Sequence, residues 1–342
     1  MLSQEMIAEV SDELLRAGCD VRSNFPLGPL TTYAVGGSAT LAVVVSDISS
    51  SNEIAAVLAR FPSIPLAILG RGSNTLVADD GFDGLAIVMS SAPRDVELAV
   101  DSDIVTAYGS MTMPILARRS VGAGRAGLEW CVGIPGSVGG AVRMNAGGHG
   151  AEMCDSLVSA RIVSFRSGNS VDVPVDDMGL HFRGSALAEH HLVVTASFHT
   201  TDTSVEEGTR VIDDVVRWRR QHQPGGRNAG SVFVNPAPGS GSAGALIDAL
   251  GLRGYQSGGA TVSEKHANFI QADSTTTAQD IIDVMSHVQT TVEHIHAITL
   301  RSEVCLLGFS PEVIDRFADP THSESSKVQA RERLSQLLGE SL

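Results

Sequence analysis

The feature that most constrains this chain is a glycine-rich segment at residues 127–150, GLEWCVGIPGSVGGAVRMNAGGHG, in which eight of 24 residues are glycine. A second glycine loop, LGRGSNTLV at 69–77, also follows an apolar, strand-like run. Glycine lets the backbone approach a ligand closely and point consecutive N–H groups at it. Both loops therefore favour a phosphate-binding role, with tight turns and close strand crossings as the alternative, above all for the shorter loop.

The net charge limits the kinds of ligand that this chain can attract. A formal charge of −15 at pH 7 argues against nucleic acid and provides no general attraction for anions. A bound phosphate therefore needs backbone dipoles and a few basic side chains. Neither loop is a Rossmann fingerprint or a P-loop, since no G-x-G-x-x-G opens a helix and no P-loop lysine follows.

Cysteine spacing and hydropathy predict a reduced protein of the cytoplasm. The four cysteines form no C-x-x-C pair and no cluster with histidine at metal-ligand spacing, so we expect reduced thiols and no metal site. No run of about 18 apolar residues occurs, and the N-terminus has the spacing of an amphipathic helix rather than of a signal peptide. We therefore predict no membrane insertion.

The order of secondary-structure patterns predicts an α+β fold. Short β-rich runs dominate the first two hundred residues, with helices near 50–60 and 111–121. Near residue 204 the pattern changes to SVEEGTRVIDDVVRWRR, an amphipathic helix. Helices follow around SAGALIDAL and from Thr277, and then two β-like runs, HAITL and EVCLLG. The predicted strands of the first part are LAVVV (41–45), LAIL (66–69), LAIVM (85–89), DIVTAY (103–108) and LVSARIVSF (157–165).

Several motifs occur in an order that resembles the UDP-N-acetylenolpyruvoylglucosamine reductase (UDP-N-acetylmuramate dehydrogenase) family. NFPLGPLTTYAVGGSA precedes the two glycine loops, and AGSVFVNP, GGATVSEKHANFI and SEVCLLG follow them. The resemblance spans roughly residues 24–308. It implies an FAD-binding domain of the vanillyl-alcohol-oxidase (PCMH) type in two lobes and a smaller C-terminal α+β substrate domain.

The resemblance and the change of pattern together predict the domain boundaries. We expect an N-terminal helical extension at 1–23, the FAD-binding domain at 24–203, the substrate-binding domain at 204–309 and a polar, peripheral tail at 310–342. The compact C-terminal part is similar to the family's form that lacks an inserted tyrosine-bearing loop.

The resemblance also implies the reaction and its cofactors. It implies reduction of UDP-N-acetylglucosamine enolpyruvate to UDP-N-acetylmuramate, with NADPH and FAD as cofactors, in peptidoglycan precursor synthesis. Reduced flavin supplies the hydride, because side chains cannot. The predicted FAD-binding residues are Gly70, Arg71, Gly72, Ser73, Asn74, Gly133, Ile134, Pro135, Gly136, Ser137, Gly139, Gly140, Asn145, Ala146 and Gly147.

Three residues match the family's catalytic positions. Arg183 would stabilise the negative charge that develops beside the substrate carboxylate. Ser231 would protonate the carbanion, and Glu303, with a raised pKa, would donate a hydrogen bond to the enolate. Without the resemblance, Arg183 would be interpreted as an arginine that braces strands, Ser231 as a loop serine and Glu303 as an exposed strand glutamate. A Ser/His/Asp triad is not required, because the serine acts as an acid.

The predicted substrate contacts are His222, Asn235, His266 and Asn268. Two positions depart from the family pattern, since His222 and Val234 stand where a lysine is usual. We expect a weaker or more pH-dependent hold on the substrate diphosphate, because histidine titrates near neutrality. Three neighbouring arginines could compensate: Arg219, Arg220 and Arg227.

Two other functions compete with the reductase. A flavin oxidase would share the cofactor domain, but it has no reason to carry Ser231, Asn235 and Glu303 together. The context of His149 gives no support for a covalent flavin link. A flavin or nucleotide-sugar binding protein without turnover would not need the three catalytic residues. For the reductase we expect a monomer that binds the UDP-sugar and NADPH.

Overall fold

The computed structural model describes residues 3–90, 98–237, 239–318 and 324–340. Its mixed helices and strands confirm the predicted α+β class. The α-helices are α1 Gln4–Arg16, α2 Ser51–Leu58, α3 Met113–Gly122, α4 Val138–Arg143, α5 Val205–His222, α6 Ala243–Ala249, α7 Ala278–His296, α8 Pro311–Phe317 and α9 Glu324–Leu338. The strands are β1 Asp20–Pro26, β2 Ser38–Val45, β3 Leu66–Leu69, β4 Thr75–Val77, β5 Phe82–Met89, β6 Ala99–Asp101, β7 Ile104–Tyr108, β8 Arg125–Ala126, β9 Gly147–Gly148, β10 Ala151–Glu152, β11 Leu157–Ser164, β12 Ser170–Pro174, β13 His191–His199, β14 Thr201–Asp202, β15 Gln256–Ser257, β16 Ala260–Val262, β17 Ile270–Ala272 and β18 Cys305–Leu307.

The first lobe is a four-stranded sheet in the order β1-β2-β5-β3. Strand β5 is parallel to both β2 and β3, and its last six residues are buried, which explains its nearly continuous apolar sequence. Helix α1 packs on this lobe through Val10 and Leu14. Strand β1 begins at Asp20 and pairs with β2, so we propose that the first lobe begins at Asp20 rather than at residue 24.

The second lobe is an antiparallel sheet in the order β12-β11-β13-β7-β6. Helices α3 and α4 cover it, and their apolar residues Leu116 and Val138 share one buried cluster with Val105 of β7. The glycine-rich segment therefore runs along the edge of a packed core, which holds its backbone in place.

Helix α5 follows the predicted domain boundary at residue 204 but packs on the domain that precedes it. Ile212 and Val215 are buried in the same cluster as the second lobe, so α5 packs on the predicted FAD-binding domain. Gly208 allows this approach, because a Cβ there would lie 2.7 Å from Val121 Cγ1. The change of pattern near 204 coincides with the start of α5 at Val205. Because α5 packs on the second lobe, we propose that the C-terminal unit begins after His222.

The C-terminal unit packs helices α6 and α7 on the antiparallel sheet β15-β16-β17. Asp79 of the first lobe accepts hydrogen bonds from Ala278 N (2.8 Å) and Gln279 N (3.0 Å) at the start of α7. Strand β18 pairs in parallel with β4. The unit is thus tied to the first lobe by a helix cap and by a strand pair.

The end of α7 corrects one predicted strand. HAITL is not a strand, because α7 continues to His296 and ends at Ala297 with φ 53°. This left-handed residue turns the chain toward Leu300, which is 1% exposed.

The predicted tail packs against the lobes rather than lying apart from them. Phe317 of α8 is buried in the C-terminal cluster, and Leu334 and Leu338 of α9 are fully buried in the second lobe's cluster. These apolar residues are widely spaced in a polar segment, so composition hides them. Positions 319–323 and 341–342 of the predicted tail, like positions 1–2 of the predicted extension, lie outside the described residues. None of the described helices combines the length and the apolarity that a membrane span requires.

Candidate active site

A cavity of about 430 Å³ lies where both glycine loops meet the C-terminal unit. Its basic lining residues are Arg71, Arg143, Arg183 and Arg219, and its acidic ones are Glu189 and Glu303. Cationic groups thus outnumber carboxylates in the wall of a strongly acidic protein. Such a wall suits an anionic ligand.

The two glycine loops face each other so closely that side chains would not fit between them. A Cβ on Gly70 would lie 2.5 Å from Ser137 Oγ, and one on Gly136 would lie 3.1 Å from Ser73 Oγ. Gly72 has φ +58°, and its Cβ would meet Leu30 O at 2.4 Å. This cradle of bare backbone and small hydroxyls fits the diphosphate of a dinucleotide.

Most of the predicted FAD-binding residues line the cavity. Gly139 and Asn145 do not. A Cβ on Gly139 would lie 3.2 Å from Gly109 O, so Gly139 lets α4 approach the second lobe. Those that line the cavity are Gly70, Arg71, Gly72, Ser73, Asn74, Gly133, Ile134, Pro135, Gly136, Ser137, Gly140, Ala146 and Gly147.

The Asn145 side chain is committed to the protein. It is 1% exposed, and its Nδ2 donates to Glu152 Oε2 at 3.0 Å and to His181 O at 3.1 Å. Its Oδ1 accepts from Cys154 N at 3.0 Å. The buried amide is therefore bonded to the protein through both its nitrogen and its oxygen.

Arg183 is held by carboxylates on two sides. Its Nε lies 2.9 Å from Glu303 Oε1, and its Nη1 lies 3.5 Å from Glu152 Oε1. Nη2 donates to Gly147 O at 3.2 Å, and the guanidinium lies over the Phe182 ring at 4.8 Å. The backbone of Arg183 has φ +60°, a conformation that costs energy in a non-glycine residue. The strained backbone thus occurs at a residue whose side chain lines the cavity.

Glu303 is fixed through its backbone from both sides of the cavity. Its N–H donates to Val232 O at 2.8 Å, and its carbonyl accepts from Asn74 Nδ2 at 2.9 Å. Burial raises the pKa of the Glu303 carboxyl, although the Arg183 guanidinium acts in the opposite direction. Asn74 therefore serves the site by positioning Glu303 as well as by lining the cavity.

Ser231 faces the cavity from the turn that follows Gly230, which has φ +79°. Asn268 holds the strand-like segment after the serine. Its Oδ1 accepts from Phe233 N at 2.9 Å, and its Nδ2 donates to Phe233 O at 2.8 Å. The predicted substrate contact Asn268 is 4% exposed, and both polar atoms of its amide bond the backbone of the segment that follows Ser231.

The other three predicted substrate contacts do not line the cavity. The exposed His222 stacks on Trp218 at 4.6 Å, and its Nδ1 bonds Trp218 O at 2.8 Å. Asn235 Oδ1 accepts from Ala243 N at 3.0 Å and so caps α6. His266 Nδ1 accepts from Asn268 N at 3.2 Å, and burial lowers the pKa of His266. Val234, in the place of a usual lysine, is buried, with 3% of its surface exposed.

The sequence interpretation missed several residues of the cavity wall. Arg143 lies within the glycine-rich segment, and its guanidinium donates to Ala188 O. Arg219 donates to Gly133 O and to Gln223 Oε1, the latter at 2.7 Å. The signal for Arg219 is the basic last turn of α5, which we treated only as a source of compensation. Glu189, Gln223, Asn228 and Cys305 also line the cavity.

Comparison with known families agrees with this architecture. The FAD binding domain family matches residues 42–173, and the UDP-N-acetylenolpyruvoylglucosamine reductase C-terminal domain family matches residues 221–307. The first match confirms FAD as the cofactor that the glycine cradle fits. The second begins within the last turn of α5.

Several relatives align along most of this chain and share one enzyme name. The UDP-N-acetylenolpyruvoylglucosamine reductase of Parasynechococcus marenigrum (strain WH8102) is 38% identical over 293 residues, 85% of this chain and 97% of that protein. The one of Bacillus subtilis (strain 168) is 35% identical over 291 residues, 84% of this chain and 94% of that protein. The crystal structure of the Thermus caldophilus enzyme superimposes with a TM-score of 0.70 at 30% identity, covering 84% of this chain and 98% of that one. The chain belongs to the UDP-N-acetylenolpyruvoylglucosamine reductase family.

Proposed function

We propose that this protein reduces UDP-N-acetylglucosamine enolpyruvate to UDP-N-acetylmuramate, with NADPH as the source of electrons. The observation that carries the proposal is the Arg183–Glu303 pair, 2.9 Å apart, in the same cavity as Ser231 and the glycine cradle. A flavin oxidase or a simple binding protein has no need for this combination.

The cavity has the parts that the cofactor requires. FAD, when bound, supplies the hydride chemistry that side chains lack. The cradle around Gly70 and Gly136 would hold its diphosphate through backbone N–H groups, and Arg71 or Arg219 would offset the phosphate charge.

Arg183 would serve the carboxylate end of the substrate. Adding a hydride to the vinyl carbon leaves negative charge on the neighbouring carbon, which spreads into the carboxylate. A guanidinium that is already fixed stabilises this charge more in the transition state than in the ground state. Glu303, with a pKa raised by burial, is suited to donate a hydrogen bond to the same enolate when protonated.

Ser231 would complete the reaction by proton transfer. Its hydroxyl forms no hydrogen bond with any described residue, so it is free to face a ligand. A hydroxyl is a weak acid, yet a carbanion is a strong base, and a positioned donor is worth about 10²–10⁴-fold in rate. Asn268 supports this role by fixing the segment two residues further on.

Three further expectations, on the units, the oligomeric state and the location, complete the proposal. We propose residues 20–222 as the FAD-binding unit and the region after His222 as the substrate-binding unit. We further propose a monomer that acts in the cytoplasm, where it supplies peptidoglycan precursor synthesis. Size-exclusion chromatography with light scattering tests the monomer against the mass of 35.8 kDa.

An anaerobic flavin assay tests the function. The purified protein should be yellow, NADPH should bleach its flavin absorbance, and the enolpyruvyl UDP-sugar should restore it. Mass spectrometry should then detect UDP-N-acetylmuramate. A flavin that stays oxidised with NADPH, or that the UDP-sugar fails to reoxidise, would contradict the proposal.

A further inference from the structure

The C-terminal end of the described chain is docked on the second lobe beside the cavity. Leu338 O accepts from Ser167 Oγ at 2.6 Å and from Asn169 Nδ2 at 3.0 Å. Together with the fully buried Leu334 and Leu338, these bonds hold α9 on the turn between β11 and β12. Both matching family models end before this helix begins. Its attachment is therefore an addition to the matched architecture.

After the end of α9, the carboxylate of Glu340 lies within hydrogen-bonding distance of two adjacent histidines, His190 and His191. Glu340 Oε1 lies 3.0 Å from His190 Nε2 and 2.9 Å from His191 Nε2. Ser164 Oγ donates to the same oxygen, and Ser335 Oγ lies 3.1 Å from Oε2. We call Glu340, His190 and His191 the C-terminal clasp. Its carboxylate is 9% exposed and well supplied with donors.

Hydrogen bonding at His191 favours a clasp of donors and acceptor over a metal site. Ala188 N donates to His191 Nδ1 at 3.0 Å, so the neutral ring carries its proton on Nε2. That proton points at Glu340, and the lone pair that a metal would need is absent from Nε2. Two histidines and a glutamate within 4.8 Å therefore act here as donors and acceptor.

The histidines connect the clasp to the cavity wall. The N–H of Ala188 donates a hydrogen bond to His191 Nδ1, and the carbonyl of Ala188 accepts one from Arg143. Glu189 lies 3.5 Å from His190 Nδ1. Both Arg143 and Glu189 line the cavity. One short turn, residues 188–191, thus touches Glu340 on its outer side and the ligand cavity on its inner side.

We propose that Glu340 is a positioning residue for ligand binding in the cavity. It orients His190 and His191, and through the 188–191 turn it sets the place of Arg143 and Glu189 in the wall. The inference rests on the proposed function for the identity of the ligands. Loss of the clasp should loosen ligand binding more than it slows the chemical steps.

The test compares full-length Glu340→Ala and Glu340→Gln with Glu332→Gln, an exposed glutamate on α9 that has no part in the clasp. At pH 8, Glu340→Ala should raise the Kd for FAD or the KM for the UDP-sugar at least fivefold, with kcat within twofold of wild type. Glu340→Gln keeps an acceptor oxygen for Ser164, His190 and His191. It should therefore stay within twofold of wild type, as should Glu332→Gln.

Three results would overturn the inference. Unchanged Kd and KM in Glu340→Ala, with only a lower Tm, would make the clasp a purely structural tie. Equal losses in Glu340→Ala and Glu332→Gln would assign the effect to α9 as a whole. A Tm increase with zinc chloride in wild type that Glu340→Ala abolishes would make the clasp a metal site. Should the wild-type protein lack reductase activity, the proposed function fails, and the FAD titration still tests the clasp.

Discussion

Replacing Asn268 by alanine tests whether a buried amide positions Ser231. The amide gives the backbone of Phe233 both an acceptor and a donor, at 2.9 and 2.8 Å. Alanine removes both partners. Phe233 is 2% exposed, so water cannot readily replace them.

The expected cost follows from the two bonds. A buried donor or acceptor left without a partner costs about 1–3 kcal/mol, so the pair costs about 2–6 kcal/mol of stability. The serine lies two residues away on the same segment. A displacement of about 1 Å at a reacting group costs about 10²-fold in rate. We therefore expect Asn268→Ala to lower both Tm and the rate of substrate reduction.

Stopped-flow absorbance separates the two half-reactions. Reduction of the flavin by NADPH should stay within twofold of wild type, and reoxidation by the UDP-sugar should slow about 10²-fold. Gln289→Ala is the matched control. Gln289 is 3% exposed and its Nε2 donates to Leu300 O (2.7 Å) and Arg316 O (3.0 Å), away from the cavity lining. It should lower Tm to a similar extent and leave both half-reactions intact.

The reasoning would be refuted by a variant that loses stability but keeps its oxidative half-reaction. Asn268 would then be an ordinary buried tie. Equal slowing of both half-reactions would also count against it, because flavin reduction does not need the serine turn.

Three further predictions concern the glycine cradle, the Arg183–Glu303 pair and the C-terminal clasp. Gly70→Ala should weaken FAD binding about 10-fold or more in a fluorescence titration, because the new Cβ would lie 2.5 Å from Ser137 Oγ; unchanged affinity would contradict the cradle. Glu303→Ala should slow flavin reoxidation by the UDP-sugar about 10²-fold or more, and Glu303→Gln should lose less because it retains hydrogen-bonding atoms; equal losses would require a charged carboxylate. Burial opposes ionisation of Glu340, but the donors His190, His191 and Ser164 hold its pKa well below the usual range. Burial likewise opposes the charged form of His190, but the carboxylates Glu189 and Glu340 outweigh it and raise the pKa of His190. The stability difference between wild type and Glu340→Gln should therefore be full near pH 6, below the unfolded pKa of His190, and should shrink as pH rises through its raised folded pKa; thermal melts from pH 6 to 9 that keep a constant difference would contradict this ion pair.

Regular elements could be predicted from sequence because their periodicity records their burial. The apolar steps after Thr277 correspond to α7, in which Ile281, Val288 and Val292 are at most 1% exposed. LAIL at 66–69 is strand β3 with the same bounds. The failure at HAITL has a local cause, since α7 runs past its last buried residue, Val292, and ends at His296, the first residue of the predicted strand.

The glycine loops were predictable for a similar reason. Their backbone approaches itself so closely that side chains are excluded, and the absence of side chains is visible in sequence. Roles of individual polar residues were less accessible. Asn145 and Asn268 both belong to recognisable motifs, but a motif does not tell whether a buried amide serves a ligand or the backbone.

Residues far apart in sequence were the least predictable part of the site. Arg143 and Arg219 reach the cavity from α4 and α5, and Glu189 reaches it from a turn before β13. The clasp depends on Glu340 meeting His190 and His191 across 149 or 150 positions. No spacing rule connects such residues, because tertiary packing alone brings them together.

We propose above that Ser231 donates the proton in the second half-reaction. The most direct measurement is anaerobic stopped-flow of Ser231→Ala beside wild type. We expect flavin reduction by NADPH at the wild-type rate, and reoxidation by the enolpyruvyl UDP-sugar slowed by about 10²–10⁴-fold. Reoxidation at the wild-type rate, or an equal loss in both half-reactions, would contradict it.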